Sequence, residues 1–212
     1  MITQSEEWRE GMRKKLAAIG FAATIALGGC TPEEVNQMPL YGDGSLPVEE
    51  RQPLEEFVSN VEPGIVEFMQ SLDTAGANVY LPRSNESELE SCGAPIYGYR
   101  LFGAMLFGKA ISEEKLLAIY EQQVKPLGFD RQYRQADEVN INYEWFNLRD
   151  GGYVSVILRA NGNLGARYAS GCRPYRGEGK PEHVRTAWEQ ELIARQPATQ
   201  GPSESSSPAV VR

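Results

Sequence analysis

Between residues 54 and 72 the apolar positions Leu54, Phe57, Val58, Val61, Ile65, Phe68, Met69 and Leu72 return on one helical stripe, with Glu55, Glu56, Glu62 and Glu67 off it. This spacing predicts an amphipathic helix. Pro63-Gly64 interrupts the stripe without changing its phase, so a kink or two short helices are expected. A second stripe runs through Leu116, Leu117, Tyr120, Val124 and Leu127. Ser112 is placed to cap it, Glu113 and Glu114 suit the positive end of a helix, and Pro126 and Gly128 end it.

Alternation takes over in the second half. Val139, Ile141, Tyr143 and Trp145 share one side of a strand over residues 139–148, and Asp150-Gly151-Gly152 is a turn signal. Val154, Val156 and Leu158 then alternate with Tyr153, Ser155 and Arg159. Asn161-Gly162-Asn163 turns the chain again, and a last strand runs from Leu164 toward Cys172. These three strands read as an antiparallel meander. Residues 96–108, almost wholly apolar, predict one central strand, and Asn78–Leu81 and Phe129–Tyr133 predict short ones. Residues 82–95 read as a polar loop leading into Cys92. Residues 181–195 carry Val184, Trp188 and Leu192 at helical spacing. The order predicts an α+β fold: an antiparallel sheet of about five strands with two helices packed on one face.

The N-terminal region has a different character. Arg13, Lys14 and Lys15 precede an apolar run, Leu16–Leu27, and then Gly28-Gly29-Cys30. A basic flank, a short apolar core and small residues before a cysteine form a lipoprotein export signal. The apolar run is shorter than the roughly 20 residues that span a bilayer. Glu6, Glu7 and Glu10 do not suit such a signal, which points to Met12 rather than Met1 as the start. The expected organisation is a signal peptide over 1–29, a flexible tether over 30–48, a domain over 49–176, a C-terminal helix within 177–196 and a disordered tail over 197–212. Cys30 would be the lipidation site, carrying diacylglyceryl and palmitate chains. The protein would then sit at the extracytoplasmic side of the cell membrane.

Lipidation leaves Cys92 and Cys172 as a pair. In an oxidising compartment such a pair is expected to form a disulfide. Two free or metal-binding thiols are the competing reading, but a chain with one histidine, His183, is a poor zinc binder. No metal or cofactor is expected.

The net charge of −8 is unevenly spread. Residues 31–90 hold 13 acids and two bases, whereas residues 91–176 hold eight acids and 11 bases, eight of them arginine. An acidic chain of this kind is not expected to bind nucleic acid. The arginines read as solvent-facing strand residues.

The lipobox at Cys30, Cys92, Met105-Leu106-Phe107-Gly108 before Ser112-Glu113-Glu114, the run Gly152–Ile157 and the closing Ser170-Gly171-Cys172 follow one another in order. In these pieces the chain resembles the LppA-like lipoproteins of mycobacteria and related actinobacteria. The resemblance spans most of residues 50–173. It implies a lipid anchor and a cysteine pair, and it implies no catalytic residue.

Catalytic patterns are weak. His183 lies beside Pro181 and Glu182 in a charged segment and is expected at the surface, without the surroundings of a triad. The paired acids Glu113-Glu114 and Asp137-Glu138 fit a helix first turn and a loop. Tyr143, Trp145, Tyr153, Arg159, Arg167 and Tyr168 come from neighbouring strands, and together they would make a recognition face. The competing reading places Tyr143 and Trp145 in the core under the helices. The expected function is a membrane-anchored binding domain for an unidentified envelope protein or ligand. The alternative is an accessory enzyme, a chaperone or a lipid carrier.

Overall fold

In the computed structural model, which describes residues 43–93 and 97–194, the first apolar stripe folds as α1 (Leu54–Asn60) and α2 (Glu62–Leu72). Pro63 lies in the first turn of α2, where its missing N–H breaks no helical bond. The second stripe is α3 (Glu113–Gln123), whose Lys115 N–H donates to the Ser112 hydroxyl at 3.4 Å. A short 3-10 turn, Lys125–Leu127, follows and ends at Gly128 with φ +90°. α4 (Ala187–Ala194) occupies part of the expected C-terminal helix.

The strands are β1 (Glu88–Ser91), β2 (Tyr99–Phe102), β3 (Leu106–Lys109), β4 (Arg131–Ala136), β5 (Asn140–Phe146), β6 (Tyr153–Arg159) and β7 (Asn163–Ala169). They form one antiparallel sheet in the order β1-β2-β7-β6-β5-β4, with β3 also paired to β7. The fold is α+β, as expected, with seven strands rather than about five and four α-helices among the described residues. The meander β5-β6-β7 follows the alternation directly, with Trp145 opposite Val154 and Val154 opposite Tyr168.

Two differences account for the extra strands. Residues 88–91, expected in a loop, pair with β2 as an edge strand. The apolar run 96–108 is broken into β2 and β3, which lie in succession along one edge of β7. The break falls at Gly103, which lies so close to the Tyr168 ring that an added Cβ would sit 2.0 Å from the nearest ring carbon. Residues 78–81 form only an isolated bridge, Tyr80 to Phe107, instead of a strand.

Alternation along the strands sorts the sheet into two faces. The inner face packs Tyr143, Trp145, Val154, Val156, Leu164 and Tyr168 against residues of all four helices, including Phe57, Phe68, Leu116 and Leu192. Trp145 is fully buried and stacks on Tyr120 at 4.5 Å and on Tyr143 at 5.6 Å, with Phe68 edge-on at 6.0 Å. The outer face carries a small cluster of strand residues, Phe146, Tyr153 and Ala169, flanked by Phe102 and Tyr133.

The expected disulfide is present. Cys92 and Cys172 are joined across a Cα–Cα distance of 6.1 Å. It ties the end of edge strand β1 to the segment after β7, so it spans β2. Nearby, Arg51 and Arg173 are buried. Arg173 donates to the carbonyls of Ser170 at 2.7 Å and Gln52 at 3.1 Å and lies over the Phe57 ring at 4.6 Å. Burial brings its pKa down to about 10. Arg131, Arg159 and Arg167 face solvent as expected, but Arg173 does not, because carbonyls from three chain segments converge on it.

Candidate functional site

The six residues expected to share one recognition face are divided between two. Tyr143, Trp145 and Tyr168 lie on the inner face and are buried in the core. Arg159 and Arg167 are exposed on the outer face, where the Arg167 guanidinium lies over the Tyr153 ring at 5.6 Å. The physical reason is parity: residues one or three apart on a strand point to opposite sides, and the helices cover the side that holds Trp145.

Two grooves on the outer face are lined by described residues. One, of about 480 Å³, lies where β2 and β3 part. Glu88 and Glu90 of β1 and Glu86 line it with Phe102, Phe107 and Arg167. Phe107 stacks on the half-exposed Tyr80 at 5.9 Å, which extends the apolar part of this surface. The other groove, of about 290 Å³, lies at the β4-β5 end and is lined by Gln135, Asp137, Asn140, Asn142, Ile157 and Arg159. The Val139 and Asn140 N–H groups donate to Asp137 Oδ1 at 2.8 and 2.7 Å and hold its carboxyl below the ordinary range.

A buried polar cluster sits on the inner side. His183 Nε2 lies 2.8 Å from Glu62 Oε1, and the Tyr168 hydroxyl donates to the same oxygen. The His183 and Glu62 side chains are each 4% exposed. His183 is therefore an anchor in the interior, not the surface residue expected from its charged neighbours. The segment after the disulfide folds back over α2, an arrangement that local composition does not encode. Burial pushes the Tyr168 pKa well up, and the charge and hydrogen bond of Glu62 and the charge of Glu189 add to the rise. For His183, burial opposes the charged ring, but the bond and charge of Glu62 and the charge of Glu189 outweigh it and raise its pKa. Glu189 in turn accepts from the Thr186 N–H at 2.7 Å and the Thr186 hydroxyl at 3.0 Å, a capping box that starts α4.

A third cluster fastens α3 to the sheet. Arg134 donates to Glu113 at 3.1 Å and to the Tyr143 hydroxyl at 3.0 Å, and that hydroxyl donates to Glu113. The Tyr143 bond, followed by Arg134, holds the Glu113 carboxyl below its ordinary range. Glu113, expected only to favour the helix dipole, thus also joins helix to strand.

The buried cluster can hold a proton between its members, but it presents no open reacting centre. The grooves can recognise a ligand through charge, amide groups and apolar contact. Among the described residues no group of His, Cys, Asp and Glu is arranged to hold a metal ion, and no helix is long and apolar enough to cross a membrane. Cys30, the signal peptide, the first part of the tether and the tail over 197–212 lie outside the described residues.

A family model described as "Domain of unknown function (DUF4853)" matches residues 50–178. The crystal structure of a DUF4853 family protein from Actinomyces odontolyticus ATCC 17982 is similar at 22% identity with a TM-score of 0.49, over 62% of this chain and 75% of that one. No curated protein matches the chain.

Proposed function

The chain belongs to the DUF4853 family, and from that premise we propose that it is a lipid-anchored, non-enzymatic binding domain of the cell envelope. The observation that carries this reading is the outer face of the sheet. Its larger groove combines exposed carboxylates, an arginine and aromatic side chains, a mixture suited to recognition. The space between helices and sheet, where a lipid carrier would need an apolar cavity, is filled by Trp145, Tyr143, Tyr120 and Phe68. Of the converging ionisable groups, Glu62, Tyr168 and His183 are packed in the interior, and Glu113, Arg134 and Tyr143 are spent on joining α3 to the sheet. The Leu27–Cys30 lipobox and the resemblance to LppA-like lipoproteins support the anchor, with an envelope component as partner. The tether expected over 30–48 is shortened at its end, because the Ser45 and Leu46 N–H groups donate to the Leu148 and Arg149 carbonyls and Val48 is buried.

Two measurements test this. Cys30→Ala is expected to leave the lipid-labelled membrane fraction, and continued lipid labelling overturns the anchor. A photo-crosslinking residue at Phe107 or Arg167 is expected to capture a discrete envelope component in cells, while one at exposed Glu121 on α3 captures none. Equal patterns at the two places overturn the assignment of the outer face.

A further inference from the structure

We propose that the β1 edge and the groove beside it receive an extended polypeptide segment with basic side chains at alternate positions and an apolar one between them. This rests on the reading of the protein as a binding domain and names the class of its partner.

The edge itself is the first ground. β1 ends the sheet and pairs only with β2 among the described strands, so its outer backbone groups offer a template for one more strand. Charge is the second. Glu88 and Glu90 stand two residues apart, exposed on the outer face, while Leu89 between them packs on the core. A strand added to this edge places its own side chains i and i+2 beside them, where cations are favoured and acids repelled. Glu86 continues the acidic line, and the apolar residue between the two cations, pointing to the opposite side of the added strand, falls beside Leu89.

The third ground lies within the molecule. Arg185 reaches from the C-terminal segment to this same rim, donating to the Asn85 carbonyl at 3.0 Å and to Glu86 at 3.2 Å. The Glu86 side chain is still 73% exposed, so the contact is shallow and replaceable. A guanidinium is thus already accepted at one end of the groove, and Arg185 acts there as a weak internal competitor. The same charges disfavour a second copy as occupant through β1, because antiparallel pairing of two β1 edges sets glutamate near glutamate.

The test uses the full processed protein in detergent and fluorescent extended peptides. One carries Arg-Phe-Arg, one the same residues with the arginines adjacent, and one Glu-Phe-Glu. The alternating basic peptide is expected to bind best. Glu88→Gln with Glu90→Gln should weaken it about tenfold or more, and Arg185→Ala should tighten it by about two- to fivefold, the scale of one exposed ion pair. Glu88→Lys with Glu90→Lys should transfer preference to the acidic peptide, which separates charge recognition from unfolding. Equal binding of basic and acidic peptides, indifference to the Glu88 and Glu90 changes, or self-association through β1 without peptide binding overturns the proposal. If Phe107 crosslinks an envelope component while the basic peptide fails, the partner class is wrong and the binding-domain reading stands. If both fail, both fall.

Discussion

His183 Nε2 sits 2.8 Å from Glu62 Oε1, so a residue beyond the family match is bonded in the interior to the second helix of the matched domain. His183 Nδ1 is buried without a hydrogen-bond partner among the described residues, which leaves Glu62 as the ring's principal contact. The groups facing the ring are Glu62 from α2, Glu189 from α4, and Tyr168 from β7 through the shared oxygen. A histidine whose folded pKa is raised stabilises fully below its unfolded value of about 6.5, and the contribution fades as pH rises through the folded value. The stability advantage of the native protein over His183→Gln is therefore expected to be full below about pH 6.5 and to shrink as pH rises above it in thermal melts. His183→Ala, which leaves the Glu62 carboxylate buried with one partner fewer, should cost about 3 kcal/mol near pH 6. An advantage that grows with pH would contradict this account.

The disulfide joins residues 80 positions apart. On the chain-entropy model it stabilises by about 4 kcal/mol. The Cys92→Ser, Cys172→Ser double variant should lose about that much in urea titrations, and each single variant should lose a similar amount. Unchanged midpoints would show that the sheet holds β1 in place without it.

The separation of the two sheet faces predicts opposite behaviour for residues that the sequence groups together. Trp145→Ala removes the centre of the aromatic stack and should cost about 3–5 kcal/mol. Arg159→Ala and Arg167→Ala, both exposed, should stay within about 0.5 kcal/mol of the native protein. Denaturant midpoints measured in parallel decide this, and similar losses in all three would undo the assignment of faces.

Gly103 lies against the Tyr168 ring. Gly103→Ala must displace that ring and with it the Tyr168–Glu62 bond, so a loss of about 1–3 kcal/mol is expected. In a Tyr168→Ala background, where the ring is gone, the same substitution should cost much less. A double-mutant cycle reads the difference, and additive effects would rule out the ring as the obstacle.

Much of the fold is legible along the chain because helical stripes and strand alternation are local patterns. Leu54–Leu72 announces its helix and the Pro63 interruption, and Val154, Val156 and Leu158 announce a strand face. The candidate site is less so. β1 carries Glu88 and Glu90 and has no apolar run, and only pairing with β2 makes it a strand. The fork between β2 and β3 depends on Gly103 meeting Tyr168, 65 positions away. One local signal was available: three glutamates at alternate positions, 86, 88 and 90, already follow the period of an extended strand with one charged face.

By itself, the sequence determined the helical stripes, the meander and the eligibility of Cys92 and Cys172 to pair, because these follow from period, turn chemistry and cysteine count. Tertiary structure decided which side of the sheet the helices cover. That choice sent Tyr143, Trp145 and Tyr168 inward and left Arg159 and Arg167 outside. It also brought His183 to Glu62 across 121 positions. A strand's period says which residues share a side, but only packing against other elements says which side is buried.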